Sequence, residues 1–191
     1  MNVLLLLWAV SAAILPAQRE RVSVVIVTDK GDIEVQFDPV HAPITTANFL
    51  RYVDLHRYDG GRFHRTVTMS NQPDKKIKIQ VIQAGVSPDK EKDGFPPIKL
   101  ERTSLTGLRH LDGAVSMARD SADTATSDFF ICIGNQPELD FGGRRNPDGQ
   151  GFAAFGRVSK GMDVVAKIQA SPAKGQSLDP PVRILSVRRK P

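Results

Sequence analysis

The chain has little of what most catalytic sites are built from. Its 191 residues include one cysteine, Cys132, so no disulfide can form within the chain. The four histidines and this cysteine lack the spacing of metal-binding motifs, and there is no G-x-S-x-G nucleophile motif and no phosphate-binding glycine loop. We therefore expect no metal and no cofactor, and we expect Cys132, which lies in an apolar run, to be buried and inert.

Aromatic residues are also few, at 6% of the chain, and the net charge is only +5. The basic residues occur in short runs such as Lys75-Lys76 and Arg188-Arg189-Lys190. A nucleic-acid-binding surface normally concentrates positive charge and offers aromatic rings for base stacking. We therefore expect no nucleic-acid partner, and we interpret the short basic runs as solvated surface.

The N-terminal stretch differs from the rest because residues 1–17 carry no charged side chain. The apolar run from Val3 to Leu15 is shorter than the ~20 residues needed to span a bilayer, and Ala17 offers a cleavage site. We predict a signal peptide over residues 1–17 and an exported domain over residues 18–191, periplasmic or extracellular, with no stable membrane insertion after cleavage. No lysine or arginine lies near Met1, which leaves an uncleaved anchor or a misassigned start codon as alternatives.

The remaining sequence predicts a single mostly-β domain. Short runs of alternating or β-branched apolar residues, separated by turn signals, are typical of strands. Such runs occupy residues 22–28, 33–37, 62–68, 79–83, 113–118, 129–133, 152–158 and 182–187. Helical spacing of apolar residues predicts one helix over residues 43–55 and a second after Ser159. This pattern favours a closed barrel with helical lids.

One arginine, Arg65, stands among apolar residues in a predicted strand, within Arg62-Phe63-His64-Arg65. A guanidinium in such a position is costly unless its rigid set of donors is used. It could pair with a carboxylate, extend into solvent or act on a substrate. The tetrapeptide by itself leaves these alternatives open.

Several motifs, in the right order, resemble those of the cyclophilins, a family of peptidyl-prolyl cis–trans isomerases. The resemblance runs from about Val22 to Val187. It rests on Gly31-Asp32-Ile33 through Ala47-Asn48-Phe49, on Phe63-His64-Arg65, on Ile82-Gln83-Ala84-Gly85, on Gly113 to Ala118 with Ser127 to Cys132, and on Phe155 to Val158 with Gly161 to Val165. It implies an eight-stranded closed antiparallel barrel capped by two α-helices, with the site on an outer face.

The resemblance also implies roles for individual side chains. Arg65 is similar to the catalytic arginine, Gln83 to the glutamine that helps hold the substrate carbonyl, and Phe130 to the aromatic floor of the proline pocket. Val81 and Leu139 take the places of a pocket methionine and a pocket leucine. Two of these residues also have a purely structural interpretation. Phe130 could be an ordinary core residue, and Gln83 could be an ordinary residue of the sheet surface.

Further positions match the family's substrate groove by place but not always by residue type. Ala118 and Arg119 fall where backbone contacts to the peptide are usual. The departures are Gln80 for a phenylalanine, Asp128 for a glutamine, Glu138 for a tryptophan and Phe152 for a histidine at the pocket rim. The loop between Arg65 and Gln83 is longer than in compact members, so the rim is partly rebuilt and substrate preference is in question.

The resemblance implies a peptidyl-prolyl cis–trans isomerase that accelerates rotation about X–Pro bonds in exported polypeptides. Its partners would be proline-containing chains, and we expect it to be a monomer. The rebuilt rim leaves an alternative, a non-catalytic chaperone or scaffold module that grips proline-containing segments without accelerating their rotation.

Overall fold

The computed structural model describes residues 21–190. The predicted signal peptide, residues 1–17, lies outside the described residues. The strands are β1 (Val22–Thr28), β2 (Gly31–Phe37), β3 (Arg62–Val67), β4 (Val81–Gly85), β5 (Ala114–Met117), β6 (Phe129–Cys132), β7 (Ala153–Lys160), β8 (Ala173–Lys174) and β9 (Ser177–Arg189). The helices are α1 (Pro43–Asp54), α2 (Pro88–Glu91), α3 (Thr103–Thr106) and α4 (Met162–Gln169), and Pro137–Leu139 forms a 3₁₀ turn.

Eight of the strands close into an antiparallel barrel in the order β1-β2-β7-β5-β6-β4-β3-β9, with β9 pairing back onto β1. Closure leaves no unpaired edge among these eight strands. The long strand β9 also pairs with the short strand β8, which lies outside the ring. The barrel predicted from the sequence is thereby confirmed.

The structure adds elements that the sequence did not predict. These are the two-residue strand β8 and the short helices α2 and α3. Strand β9 extends well beyond the predicted residues 182–187, on both sides of Pro180-Pro181. Within residues 21–190, no helix is long and apolar enough to cross a membrane.

Helix α1 packs an aromatic face against β7 and β9. The N-cap residue, Ala42, has a methyl side chain that cannot accept hydrogen bonds from the first backbone N–H groups of the helix. The carboxylate of Glu101 accepts them instead, from Ile44 at 3.1 Å and from Thr45 at 2.7 Å. A carboxylate there also suits the positive end of the helix.

Phe49, fully buried, is the centre of the aromatic cluster that joins this helix to the barrel. Its ring contacts those of Phe37, Tyr58, Phe129 and Phe155, with centroid distances from 4.8 to 5.5 Å.

Strand β6 carries apolar residues on both faces, and this feature positions the site. Phe129 and Ile131 point into the barrel core, whereas Phe130 and Cys132 belong to a second, smaller apolar cluster on the outside. Val81 of β4 joins that outer cluster. Burial raises the pKa of the Cys132 thiol, as expected of an inert cysteine.

Candidate active site

Strands β3 and β4 place Arg65 and Gln83 side by side on the outer face of the barrel. Phe63 pairs with Ala84 and Arg65 pairs with Gln83, so His64 is an extra residue without a partner on β4. Along a regular strand, Phe63 and Arg65 would face the same side. The bulge at His64 shifts that alternation. As a result Phe63 is buried in the barrel core, while Arg65 points outward.

The guanidinium of Arg65 is held by two neutral amides. Its Nη1 donates to Oε1 of Gln83 at 3.0 Å, and its Nε and Nη2 donate to Oε1 of Gln176 at 2.9 and 2.6 Å. Burial lowers the pKa of Arg65. Within residues 21–190 no carboxylate oxygen lies within 4.0 Å of this guanidinium. Its charge is therefore oriented without being neutralised by an ion pair.

Asp128 fixes the other end of this network. Nε2 of Gln83 donates to Oδ2 of Asp128 at 3.0 Å, so the carbonyl oxygen of the same amide is turned towards Arg65. The carboxylate lies directly over Gly85, where an added Cβ would overlap Oδ1 of Asp128. Nε2 of His64 is 3.6 Å from Oδ2 of Asp128. A continuous chain of contacts thus runs from Gln176 through Arg65 and Gln83 to Asp128.

For the X–Pro isomerisation that the family resemblance implies, we expect Gln176→Ala to lower kcat/KM by about fivefold. The reason is that Gln176 accepts two of the three hydrogen bonds that orient Arg65. The loss would appear in kcat more than in KM, since Gln176 acts through Arg65. The Arg65→Ala/Gln176→Ala double variant separates this role from an independent one. It would be no less active than Arg65→Ala alone, and a further large loss would show that Gln176 acts independently.

An apolar pocket lies beside Arg65. Its floor is Phe130, which is 5% exposed, and the ring of Phe152 stands perpendicular to it at a centroid distance of 5.4 Å. Val81 and Leu139, both nearly fully buried, complete the pocket. These four side chains, all predicted from the sequence, are brought together. Such a surface suits a proline ring, which is apolar and offers no N–H group.

The floor of the pocket rests on a buried polar network that the sequence did not reveal. The His110 ring stacks on Phe130 with centroids 5.9 Å apart and planes 15° from parallel. Its Nδ1 lies 2.7 Å from Oδ1 of Asp140, and its Nε2 lies 2.9 Å from Oγ of Ser116. Burial raises the pKa of Asp140, but the hydrogen bonds from His110 outweigh it, and the net shift is downward. Ser116 has no exposed surface and His110 is almost fully buried, so these two side chains support the pocket from beneath and do not reach a substrate.

The remaining predicted site residues have different surroundings. The Arg119 guanidinium donates to Asp148 at 2.8 and 3.0 Å and to the Gly151 carbonyl, and it lies over the Phe152 ring at 5.1 Å. The backbone N–H of Ala118 donates to the Asp128 carbonyl at 2.9 Å. Gln80 does not line the groove, and its carbonyl accepts the N–H of Ile133.

Together these side chains line an open groove with a volume of about 720 Å³. All the predicted groove positions except Gln80 and Glu138 lie along it: Arg65, Val81, Gln83, Ala118, Arg119, Asp128, Phe130, Leu139 and Phe152. Glu138 does not line it and instead pairs with Arg144 at 2.6 Å. Among residues 21–190 there is no group of three potential metal ligands.

Comparison with known proteins agrees with this geometry. Residues 23–189 match the family described as cyclophilin type peptidyl-prolyl cis-trans isomerase/CLD. The chain is 40% identical over 147 residues to peptidyl-prolyl cis-trans isomerase A of Dickeya dadantii (strain 3937), covering 76% of this chain and 70% of that protein. It is 34% identical over 144 residues to peptidyl-prolyl cis-trans isomerase B of Escherichia coli (strain K12), covering 74% and 80%.

Solved structures show the same fold. A cyclophilin type peptidyl-prolyl cis-trans isomerase of Cryptosporidium parvum superposes with a TM-score of 0.72 at 20% identity, covering 90% of this chain and 99% of that one. A second structure of that protein, obtained in the presence of the dipeptide Ala-Pro, gives a TM-score of 0.70 and covers 88% and 99%. The chain belongs to the cyclophilin-type peptidyl-prolyl cis–trans isomerase family. The enzyme class expected from the sequence is confirmed.

Sequence reasoning missed Gln176 and the His110 network. Gln176 follows Lys174-Gly175 in the turn between β8 and β9 and lies 111 positions from the arginine it contacts. No local pattern connects the two. His110 did carry a signal, since it is a lone histidine close before a predicted strand, but its stacking on Phe130 depends on the pairing of β5 with β6.

Proposed function

We propose that this chain catalyses cis–trans isomerisation of X–Pro bonds in the groove beside Arg65. The observation that carries the proposal is a half-buried guanidinium, oriented by neutral amides, at the edge of an apolar pocket. The names of the relatives, all peptidyl-prolyl isomerases, support it.

The chemistry requires no nucleophile and no proton relay. Amide resonance places a barrier of about 20 kcal/mol on rotation about the X–Pro bond. Twisting the bond removes that resonance and localises a lone pair on the prolyl nitrogen. A donor aimed at this nitrogen stabilises the twisted state more than the planar ground state, and only such differential binding accelerates the reaction. Arg65 supplies the charged donors.

The other residues hold the substrate. The apolar pocket would fix the proline ring and exclude water, which strengthens the electrostatic effect of Arg65. Its walls are Phe130, Val81, Leu139 and Phe152. Gln83 already accepts a hydrogen bond from Arg65, and its amide orients the carbonyl side of the peptide. The structural neighbour obtained in the presence of Ala-Pro supports proline-containing peptides as the substrate class.

Exchange NMR on a short capped Ala-Pro-Phe peptide tests the proposal. We expect exchange cross-peaks or line broadening between the cis and trans forms at catalytic concentrations of the chain, because rotation becomes fast on the NMR timescale. A peptide that binds without faster exchange would instead identify a proline-binding chaperone or scaffold module, the alternative that the rebuilt rim suggests.

We further propose that the clients are exported proteins. The support is the uncharged apolar stretch of residues 1–17 in the sequence. Expression of the tagged chain, followed by cell fractionation and N-terminal sequencing, tests this. A shortened chain outside the cytoplasm is expected, and a full-length chain in the cytoplasm would contradict it.

A further inference from the structure

Part of the groove lining is positive and lacks matching acids. Lys75 and Lys76 stand on the long loop between β3 and β4, and Arg145, from the segment before β7, reaches the same loop at the carbonyl of Ile77. Within residues 21–190, no carboxylate oxygen lies within 4.0 Å of the charged groups of these three residues. Two other cations along the groove, Arg119 and Arg144, are already paired with Asp148 and Glu138.

Arg145 is the most firmly positioned of these cations. Its Nη1 donates to Oε1 of Gln72 at 2.9 Å and to the carbonyl of Ile77 at 2.8 Å, which ties it to the long loop. Gln72 is itself almost fully buried and donates to the carbonyls of Thr68 and Ile79. The loop is therefore an ordered part of the groove wall.

Arg145 and Arg65 share a partly dry groove. Burial lowers the pKa of Arg145, and the positive charge of Arg65 lowers it further. Two like charges in such an environment repel each other, and an anion placed near both relieves that repulsion. The hydrogen bonds that both guanidiniums do make go to neutral oxygens, so each retains its attraction for a carboxylate.

The groove also carries carboxylates. Gln83 separates Arg65 from Asp128, and Asp120 also lines the groove. A bound peptide therefore meets the two cations Arg65 and Arg145, which are close enough to influence each other, and a carboxylate beyond Gln83. An acidic side chain on the peptide would be attracted near these cations and repelled near that carboxylate.

We propose that the groove selects X–Pro segments that carry an acidic residue on one side of the proline only, with its carboxylate bound by Arg145, Lys75 and Lys76. This inference rests on the proposed function, because it names the substrate class of the same site. It gives the long loop a role in specificity.

Three capped peptides test it with the full chain: Ac-Ala-Gln-Ala-Pro-Ala-Gln-Ala-NH2 and the two versions in which either Gln is replaced by Glu. Gln and Glu have nearly the same shape, so only charge differs. At low salt we expect one Glu peptide to be isomerised with a kcat/KM about fivefold above the Gln peptide, and the other to gain nothing. About 0.5 M salt would remove the advantage.

Variants locate the effect. Arg145→Gln, and separately Lys75→Gln/Lys76→Gln, would bring the ratio between the favoured Glu peptide and the Gln peptide close to one. The lysine pair is exposed, so this second variant keeps the test valid if Arg145→Gln disturbs the loop. Lys30→Gln/Lys167→Gln removes the same charge from exposed positions away from the groove and would keep the ratio.

Failure of this inference is distinguishable from failure of the proposed function. Equal isomerisation of all three peptides at low salt would overturn the charge preference and leave the isomerase intact. A gain of the same size for both Glu peptides would overturn the one-sided selection. If none of the peptides is isomerised, the proposed function fails and the inference falls with it.

Discussion

Arg65→Ala is expected to lower kcat/KM for a proline peptide by at least about tenfold, or roughly 1.4 kcal/mol of transition-state stabilisation. The guanidinium supplies the donors aimed at the prolyl nitrogen, and no other cation is tied to Gln83 at the edge of the proline pocket within residues 21–190. The fold would be retained, because Arg65 points away from the barrel core. Magnetisation-exchange NMR on the Ala-Pro-Phe peptide measures the effect.

Two further variants test whether the shape of the charged group and its position on the strand matter. Arg65→Lys keeps the charge but loses the fork that contacts both Gln83 and Gln176, so we expect it to lose most of the activity as well. Arg62→Ala is the matched control, since it lies on the same strand but does not line the groove. It would keep kcat/KM within about twofold. A fully active Arg65→Ala variant would refute the assigned role.

Phe49→Ala is expected to have the largest effect on stability. The ring is fully buried and contacts four other aromatic rings, so its removal leaves a cavity between α1 and the barrel. Substitutions of this kind cost about 3–5 kcal/mol. Chemical denaturation followed by circular dichroism measures the free energy of unfolding, and the midpoint would fall with little change in slope.

Ile44→Ala provides the control for Phe49→Ala. It lies on the same helix, but its side chain is 45% exposed, and the hydrogen bond to Glu101 uses only its backbone N–H. We expect a change within about 0.5 kcal/mol. If both variants were destabilised equally, the loss would reflect weaker helix formation, and the aromatic cluster would not be the main link between α1 and the barrel.

Much of the fold follows from local patterns. The alternation in β2 and the β-branched run in β1 indicated two strands, which pair with each other. Gly31, at the turn between them, has a φ of +126°, a conformation that suits glycine. The apolar run of residues 129–133 indicated a strand, and alternation along a strand places Phe129 and Phe130 on opposite faces. That prediction separated Phe129, in the barrel core, from Phe130, at the site.

The parts that could not be predicted depend on contacts between distant segments. A regular alternation would place Phe63 and Arg65 on the same face, and only the bulge at His64 separates them. Nothing in the tetrapeptide indicates a bulge. Likewise, the last strand was predicted to begin at residue 182, after Pro180-Pro181, because proline cannot donate to a strand ladder. β9 begins earlier because β3 pairs with Ser177 before the prolines as well as with Val182 and Arg183 after them.

Substitutions at the rim show why a family resemblance does not settle specificity. Asp128, where a glutamine is common, anchors the amide of Gln83, and Phe152, where a histidine is usual, packs its ring against Phe130. Both keep the pocket intact by contacts that no single motif predicts. The long loop adds Lys75 and Lys76 to the groove, where we propose that they help to bind an acidic residue of the substrate.

The central claim is that Arg65 stabilises the twisted X–Pro bond rather than the bound planar peptide. The most direct measurement titrates the Ala-Pro-Phe peptide into the chain and into Arg65→Ala, and fits both Kd and the exchange rate of the bound peptide from the same NMR spectra. The account predicts a bound-state exchange rate at least about tenfold slower in the variant, with Kd changed less than about threefold. An unchanged exchange rate with a weakened Kd would contradict it, because Arg65 would then only hold the peptide.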